Sequence, residues 1–118
     1  MKAALLAAAL LLQTTAWAQP PSPATAREID QLFAALRQSG CEFSRNGAWY
    51  EAAKASEHLQ RKYDYLRERG LVPSTESFIE RAATKSSMSG QPYQVRCGQA
   101  APVASSDWFT GQLRELRK

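Results

Sequence analysis

The sequence predicts an α+β domain in which about four helices surround a small antiparallel sheet of two or three strands, held by one disulfide. Three observations carry this. Apolar residues recur at helical spacing in four stretches bounded by Gly, Pro or Ser. The alternating segment Cys41 to Ser44 and the strand-prone aromatics Trp49-Tyr50 flank Asn46-Gly47, a strong hairpin signal. Cys41 and Cys97, 56 residues apart, are the chain's 2 cysteines, an even number.

Met1 to Ala18 sits apart from this domain. Lys2 supplies a positive start, Ala3 to Leu12 is an uncharged Ala/Leu run, and Ala16-Trp17-Ala18 is a small-residue cleavage motif before Gln19. This reads as a secretory signal peptide. The run is about half the roughly 20 apolar residues that a membrane span needs, so the mature chain is expected to be soluble, with no span of its own. The residue directly after Ala18 is Gln19 and not cysteine, so a lipid anchor of the lipoprotein type has no attachment point there. The expected location is periplasmic, or secreted after cleavage.

Residues 19–24, with Pro20, Pro21 and Pro23, read as an extended, mobile leader, and residues 25–118 as a single domain. Thr25 and Glu28 fit a capping box, and Ile29, Leu32, Phe33 and Leu36 continue a helix over 26–39 to the stop at Gly40. Cys41 to Ser44 and Trp49-Tyr50 form the arms of the hairpin. Ala52, Ala55, Leu59, Tyr63 and Leu66 share one face of a second helix over 51–69, which Gly70 ends. Phe78, Ile79, Ala82 and Ala83 mark a third over 76–87. After the loop Ser86-Ser87-Met88-Ser89-Gly90 comes an alternating strand, Tyr93 to Cys97. A loop over 98–104 then leads to Ser105 or Ser106 as N-cap of a last helix carrying Trp108, Phe109, Leu113 and Leu116.

An exported chain of about 100 residues has a modest core, and a disulfide between Cys41 and Cys97 is expected from compartment and cysteine parity. Closing that loop is worth about 4 kcal/mol in the chain-entropy model. A redox pair favours C-x-x-C, and two thiols with the lone His58 make a poor metal site; no metal or cofactor is expected.

The whole chain has 15 basic and 11 acidic residues; without Lys2 the mature balance is +3. The signs are interleaved along the helices, as on solvated faces, and only the tail Arg114, Arg117 and Lys118 is one-sided, where cations complement a helix C-terminus. Nucleic-acid binding would need a denser basic stripe, and nucleic acid is excluded as a partner. Carboxylates Glu51, Glu57, Asp64, Glu76 and Glu80 are helical and mostly near cations, which gives a glycosidase pair no support.

The candidate site residues are polar. His58 is the single imidazole, one position off the apolar stripe, four residues from both Lys54 and Lys62. Positive neighbours favour its neutral form, and hydrogen bonding to a loop carbonyl is its expected role. Ser86, Ser87 and Ser89 read first as turn-shaping hydroxyls. With Arg45, His58 and Lys62 they form a candidate pocket for an anionic or sugar-like group. A small hydrolase built on His58 and these serines is the alternative, although G-x-S-x-G is absent and Lys85 precedes the serines, unlike S-x-x-K. Trp49 and Tyr50, with Tyr65, are the aromatics expected to stay partly exposed as a partner or sugar surface.

Arg45-Asn46-Gly47, then His58-Leu59 with Lys62-Tyr63, then Phe78-Ile79 running to Ser86-Ser87-Met88-Ser89-Gly90-Gln91-Pro92-Tyr93, in that order behind a signal peptide, resemble the YfeK-like family of short exported Gram-negative proteins. The resemblance covers residues 29–97. It implies an exported α+β domain of unknown function and brings no activity, substrate or catalytic residue. The cysteine pair is not part of the family pattern. The expected function is thus a non-enzymatic binding or interaction module of the cell envelope, its partner an envelope protein or a small anionic or sugar-like ligand, with a hydrolase or an inhibitor of an envelope enzyme as alternatives.

Overall fold

The computed structural model describes residues 19–118, so the proposed signal peptide, residues 1–18, lies outside the described residues. The element order is α1 (Pro23–Gln38), β1 (Glu42–Arg45), β2 (Ala48–Glu51), α2 (Ala52–Glu68), α3 (Thr75–Ala82), β3 (Gln94–Arg96), β4 (Val103–Ala104) and α4 (Ser105–Leu116). The α+β class and the four helices match the sequence reading. The sheet has four strands rather than two or three, in the antiparallel order β2-β1-β3-β4. The additional strand, β4, is two residues long between Pro102 and Ser105, too short to show alternation, and it exists by pairing Val103 with Val95 and Ala104 with Gln94.

Local chemistry sets the element ends. Helix α1 starts earlier than the capping box implied: Ser22 is the N-cap, its hydroxyl accepting the Thr25 N–H at 3.1 Å, with Pro23 in the first turn. Proline is favoured there because its missing N–H would have no helical partner. The hairpin turn has Asn46 and Gly47 both at positive φ, 51° and 82°, the two-residue turn whose twist matches the flanking strands. Helix α2 closes on Gly70 at φ 69°, where Gly70 N–H reaches Arg67 O and Leu71 N–H reaches Leu66 O, each at 3.1 Å. Helix α3 stops at Ala82, five residues short of the expected end. Thr84 Oγ1 donates to Ile79 O at 2.7 Å, and the chain then doubles back to pair Lys85 with Pro92. Helix α4 begins at Ser105 itself, with Ala104 in the N-cap position and no side-chain cap, so neither Ser105 nor Ser106 caps it.

The helices meet around one side chain. Phe78 of α3 is fully buried, and its ring lies 5.3 Å from Phe33 of α1, 5.5 Å from Tyr63 of α2 and 6.1 Å from Phe109 of α4, all edge-on. Edge-on pairs add to the large apolar burial of each ring. Ile29, Leu32, Leu36, Leu59 and Val72 complete this layer, and Phe43, Tyr93 and Val95 carry it onto the sheet.

Cys41 and Cys97 are disulfide-bonded, as parity and compartment implied. They stand beside the β1–β3 pair Glu42 and Arg96, so the covalent link continues the sheet register by one step. At the opposite end Arg117 gathers the helices. Its guanidinium donates to both carboxylate oxygens of Glu28, at 2.7 and 3.1 Å, and to Glu76, holding both carboxylates below their ordinary range. The sequence reading treated this tail as a dipole complement; it is a clamp across α1, α3 and α4.

Two stability outcomes follow from this layout. Phe78→Ala is expected to cost about 4 kcal/mol in chemical denaturation, because one cavity opens against three helices. Cys97→Ser is expected to cost a similar amount, about 4 kcal/mol, while leaving the circular dichroism spectrum native below the transition. Denaturing, non-reducing thiol labelling of the wild type should find no free cysteine; two labelled thiols would contradict the pairing.

A cationic concavity between the hairpin, α2 and the serine loop

Strand β2 passes into α2 with no intervening residue, Glu51 ending one and Ala52 starting the other. The direct junction seats α2 against the hairpin, burying Ala52, Ala55, Leu59 and Tyr63. Its next face, His58, Arg61 and Lys62, is left beside Arg45 at the end of β1. Asn46-Gly47 matters here because it ends β1 immediately after Arg45.

The third wall is the loop between α3 and β3. Tyr93 N–H bonds Thr84 O at 2.9 Å, Ser86 N–H bonds Gln91 O at 3.0 Å and Gly90 N–H bonds Ser86 O at 2.9 Å, so the loop closes on itself. Two side-chain ties hold it in place. Lys62 Nζ donates to Lys85 O at 2.7 Å, and Ser89 Oγ donates to Asn46 Oδ1 at 2.6 Å, joining the loop to α2 and to the hairpin turn. Ser86 is buried, and its hydroxyl accepts the Ser89 N–H at 3.3 Å. Met88 stands at the rim, 94% exposed.

The floor is Tyr93. Its ring is buried 4.9 Å from Phe43, while its hydroxyl reaches the concavity, 3.3 Å from His58 Nε2 and 3.3 Å from Lys62 Nζ. With a neutral imidazole bearing its proton on Nδ1, Lys62 donates to Tyr93 and Tyr93 donates to His58, so each group finds a partner.

Electrostatics favour that arrangement. Burial first, then the charges of Arg45, Lys62 and Arg61, pull His58 down to about 4, so the ring is neutral at physiological pH. The sequence anticipated a neutral ring from nearby cations; desolvation is the larger cause, and Arg45 outranks the helical neighbours. Burial, with Arg45 beside it, also lowers Lys62, and burial raises Tyr93. The lining of the concavity, Arg45, His58, Arg61, Lys62, Ser86, Ser87, Met88 and Tyr93, contains no carboxylate. Among the described residues none of the three cations is in a salt bridge, and the buried Nε of Arg45 has no hydrogen-bond partner.

Of the residues singled out from sequence, Arg45, His58, Lys62, Ser86 and Ser87 line this one concavity, and Ser89 supports it from behind through Asn46. His58 bonds Tyr93 rather than a loop carbonyl; Lys62 takes the carbonyl instead. Among the described residues no hydrogen bond joins His58 to Ser86, Ser87 or Ser89, the contact that activation of a serine would use. The two hairpin aromatics part company. Tyr50 pairs with Phe43 on the inner face, whereas Trp49 pairs with Ser44 on the outer face and lies under the Arg96 guanidinium at 3.9 Å. Both are half-buried; Tyr65 is 56% exposed. Arg61 and the Tyr93 hydroxyl were missed. The i,i+3 spacing of His58 and Arg61 was a signal for the first, but nothing in sequence told which strand residue would meet α2. Among the described residues no group of three or more His, Cys, Asp or Glu side chains gathers, and no helix is long and apolar enough to cross a membrane.

The His58 environment makes a pH dependence. Above pH 6.5 the ring is neutral in folded and unfolded chain alike; below it the unfolded chain binds a proton that the folded chain refuses until about pH 4. Stability contributed by the neutral ring is therefore present above 6.5 and lost as pH falls through that window. An NMR titration of the ring should give a midpoint near 4, and His58→Gln should flatten the stability loss between pH 6.5 and 4.5. A midpoint at the ordinary 6.5 would contradict the buried, hydrogen-bonded ring.

The sequence pattern of a family of unknown function, DUF5329, matches residues 23–117, the whole folded domain. An uncharacterised protein, YfeK, of Salmonella typhimurium strain LT2 is 35% identical over 85 residues, covering 72% of this chain and 69% of that protein. No solved structure matches. The matched segment contains the hairpin, the α2 cations and the serine loop together, and the chain belongs to this YfeK-like family of unknown function.

Proposed function

We propose that the chain is an exported, non-enzymatic binding module of the cell envelope, and that its concavity takes a small anionic group. The observation that carries this is the unpaired Arg45. A guanidinium with a buried Nε and no hydrogen-bond partner among the described residues stands beside Arg61 and Lys62 in a concavity without a carboxylate. Charged donors kept near one another without counter-ions are costly, and an anion would satisfy them with charge-assisted hydrogen bonds. Ser87 adds a hydroxyl at the rim, and His58, neutral, offers a polar edge without further charge. A binding role also suits the fixed loop, where the Ser86 and Ser89 hydroxyls are spent on holding its shape and Ser87 is left for a ligand. Export is proposed from residues 1–18, where Lys2, the Ala3 to Leu12 run and Ala16-Trp17-Ala18 stand in signal-peptide order.

Inorganic phosphate is the first probe. Titrated into 15N-labelled protein, it should shift the amides of Arg45, Arg61 and Ser87, and Arg45→Ala should weaken that binding about tenfold, the loss of one charge-assisted contact. Lys62 is the wrong residue to delete first, because it also pins the loop. Unmoved amides across the concavity would refute the anion site, and a protein recovered from the cell envelope still bearing residues 1–18 would refute cleavage before Gln19.

A further inference from the structure

A second recess opens behind the concavity and shares its wall. Phe43, Tyr50 and Ala55 form its apolar sides, Lys54 lies at its edge, and Arg45, His58 and Arg61 line both spaces. Phe43 and Ala55 are buried in the core, so these sides are fixed by packing rather than by flexible surface chains. The recess is small, about 50 Å3, room for roughly three or four water molecules. Water held against such walls has few partners, and a small apolar group would displace it favourably.

We propose that the ligand is a short-branched organic anion: a carboxylate or phosphate held at the junction by Arg45 and Arg61, with an apolar branch of about three or four carbons in the recess. This rests on the anion reading above and adds the substrate class to it. The geometry excludes two neighbours of that class. A long acyl chain or a fused ring exceeds the recess, and a bare anion leaves it unfilled. His58 stands where the two spaces meet, and as a neutral ring edge it tolerates both the charge on one side and the hydrocarbon on the other. Any polar remainder of the ligand lies in the outer concavity, against Lys62 and Ser87.

The test compares acetate, isovalerate and the neutral isovaleramide by amide-shift titration, with inorganic phosphate alongside. Each buried methylene is worth about fourfold in affinity, so isovalerate should bind at least roughly tenfold tighter than acetate even when partly buried. Isovaleramide should bind at least about tenfold more weakly than isovalerate, having lost the charge. Ala55→Leu fills the recess and should bring isovalerate to the level of acetate while leaving acetate unchanged. If that variant loses the native amide spectrum, Tyr50→Ser removes a wall instead and should erase the same preference. Equal binding of acetate and isovalerate, or, where phosphate binds without either carboxylate, equal binding of phosphate and isobutyl phosphate, overturns the branched-anion proposal and leaves the anion site standing. Equal binding of isovaleramide and isovalerate overturns it as well. If phosphate also fails to bind, both readings fall.

Discussion

The burial of Phe78 is the contact on which the rest of this fold depends. Helix α3 is only eight residues long, too short to be stable alone, yet its one aromatic ring touches rings from each of the other three helices. Helices α1 and α4 are separated in sequence by the entire sheet. Helix α1 also packs directly on α2, with Phe33 6.0 Å from Tyr63, whereas α4 is held to α2 through Phe78. Arg117 reinforces the same convergence from outside, where its guanidinium joins Glu28 and Glu76, but at an exposed position it adds to packing rather than replacing it. The disulfide acts at the far end, on the sheet, so the molecule is tied covalently where its strands are short and by aromatic burial where its helices cross.

The cationic concavity follows from this arrangement. Once α2 is packed against Phe78 and the hairpin, its apolar face is used, and the next face must look along the sheet toward Arg45. His58, Arg61 and Lys62 occupy that face. The crowding is unfavourable: Lys62 and His58 are both held below their ordinary proton affinities by burial and by Arg45. The fold compensates part of this through Tyr93, which accepts from Lys62 and meets the imidazole, and through the Lys85 carbonyl. Arg45 is left without such help. An uncompensated buried guanidinium nitrogen is costly to a folded chain, and ligand binding that relieves it would add to folding stability by mass action.

Much of the fold was legible because the signals were local. Asn46-Gly47 specifies a turn by its tolerance of positive φ, Gly70 ends a helix for the same reason, and a 3.6-residue period in α1 and α2 needs no distant partner to be read. The errors lie where local signals compete. Helix α3 reads as continuing to residue 87 on propensity, but the Thr84 hydroxyl takes the Ile79 carbonyl and ends it. Ser105 has the side chain of a cap and a fully buried position instead, inside α4, with no hydrogen bond to its hydroxyl. Strand β4 is invisible in sequence because two residues have no period.

The sequence by itself determined the class of the domain, the pairing of its cysteines, and the set of polar residues worth watching, since composition, parity and spacing are properties of the chain. The tertiary structure alone decided which of those polar residues share a surface. Arg45 and Lys62 are 17 positions apart, and Tyr93 is 31 beyond Lys62, distances that no periodicity spans. Alternation in β2 sent Tyr50 inward and Trp49 outward under Arg96, although the two are adjacent in the chain. A side chain's neighbours in space are set by the burial of other side chains, here Phe43, Leu59 and Phe78, and the polar residues go where that packing leaves room.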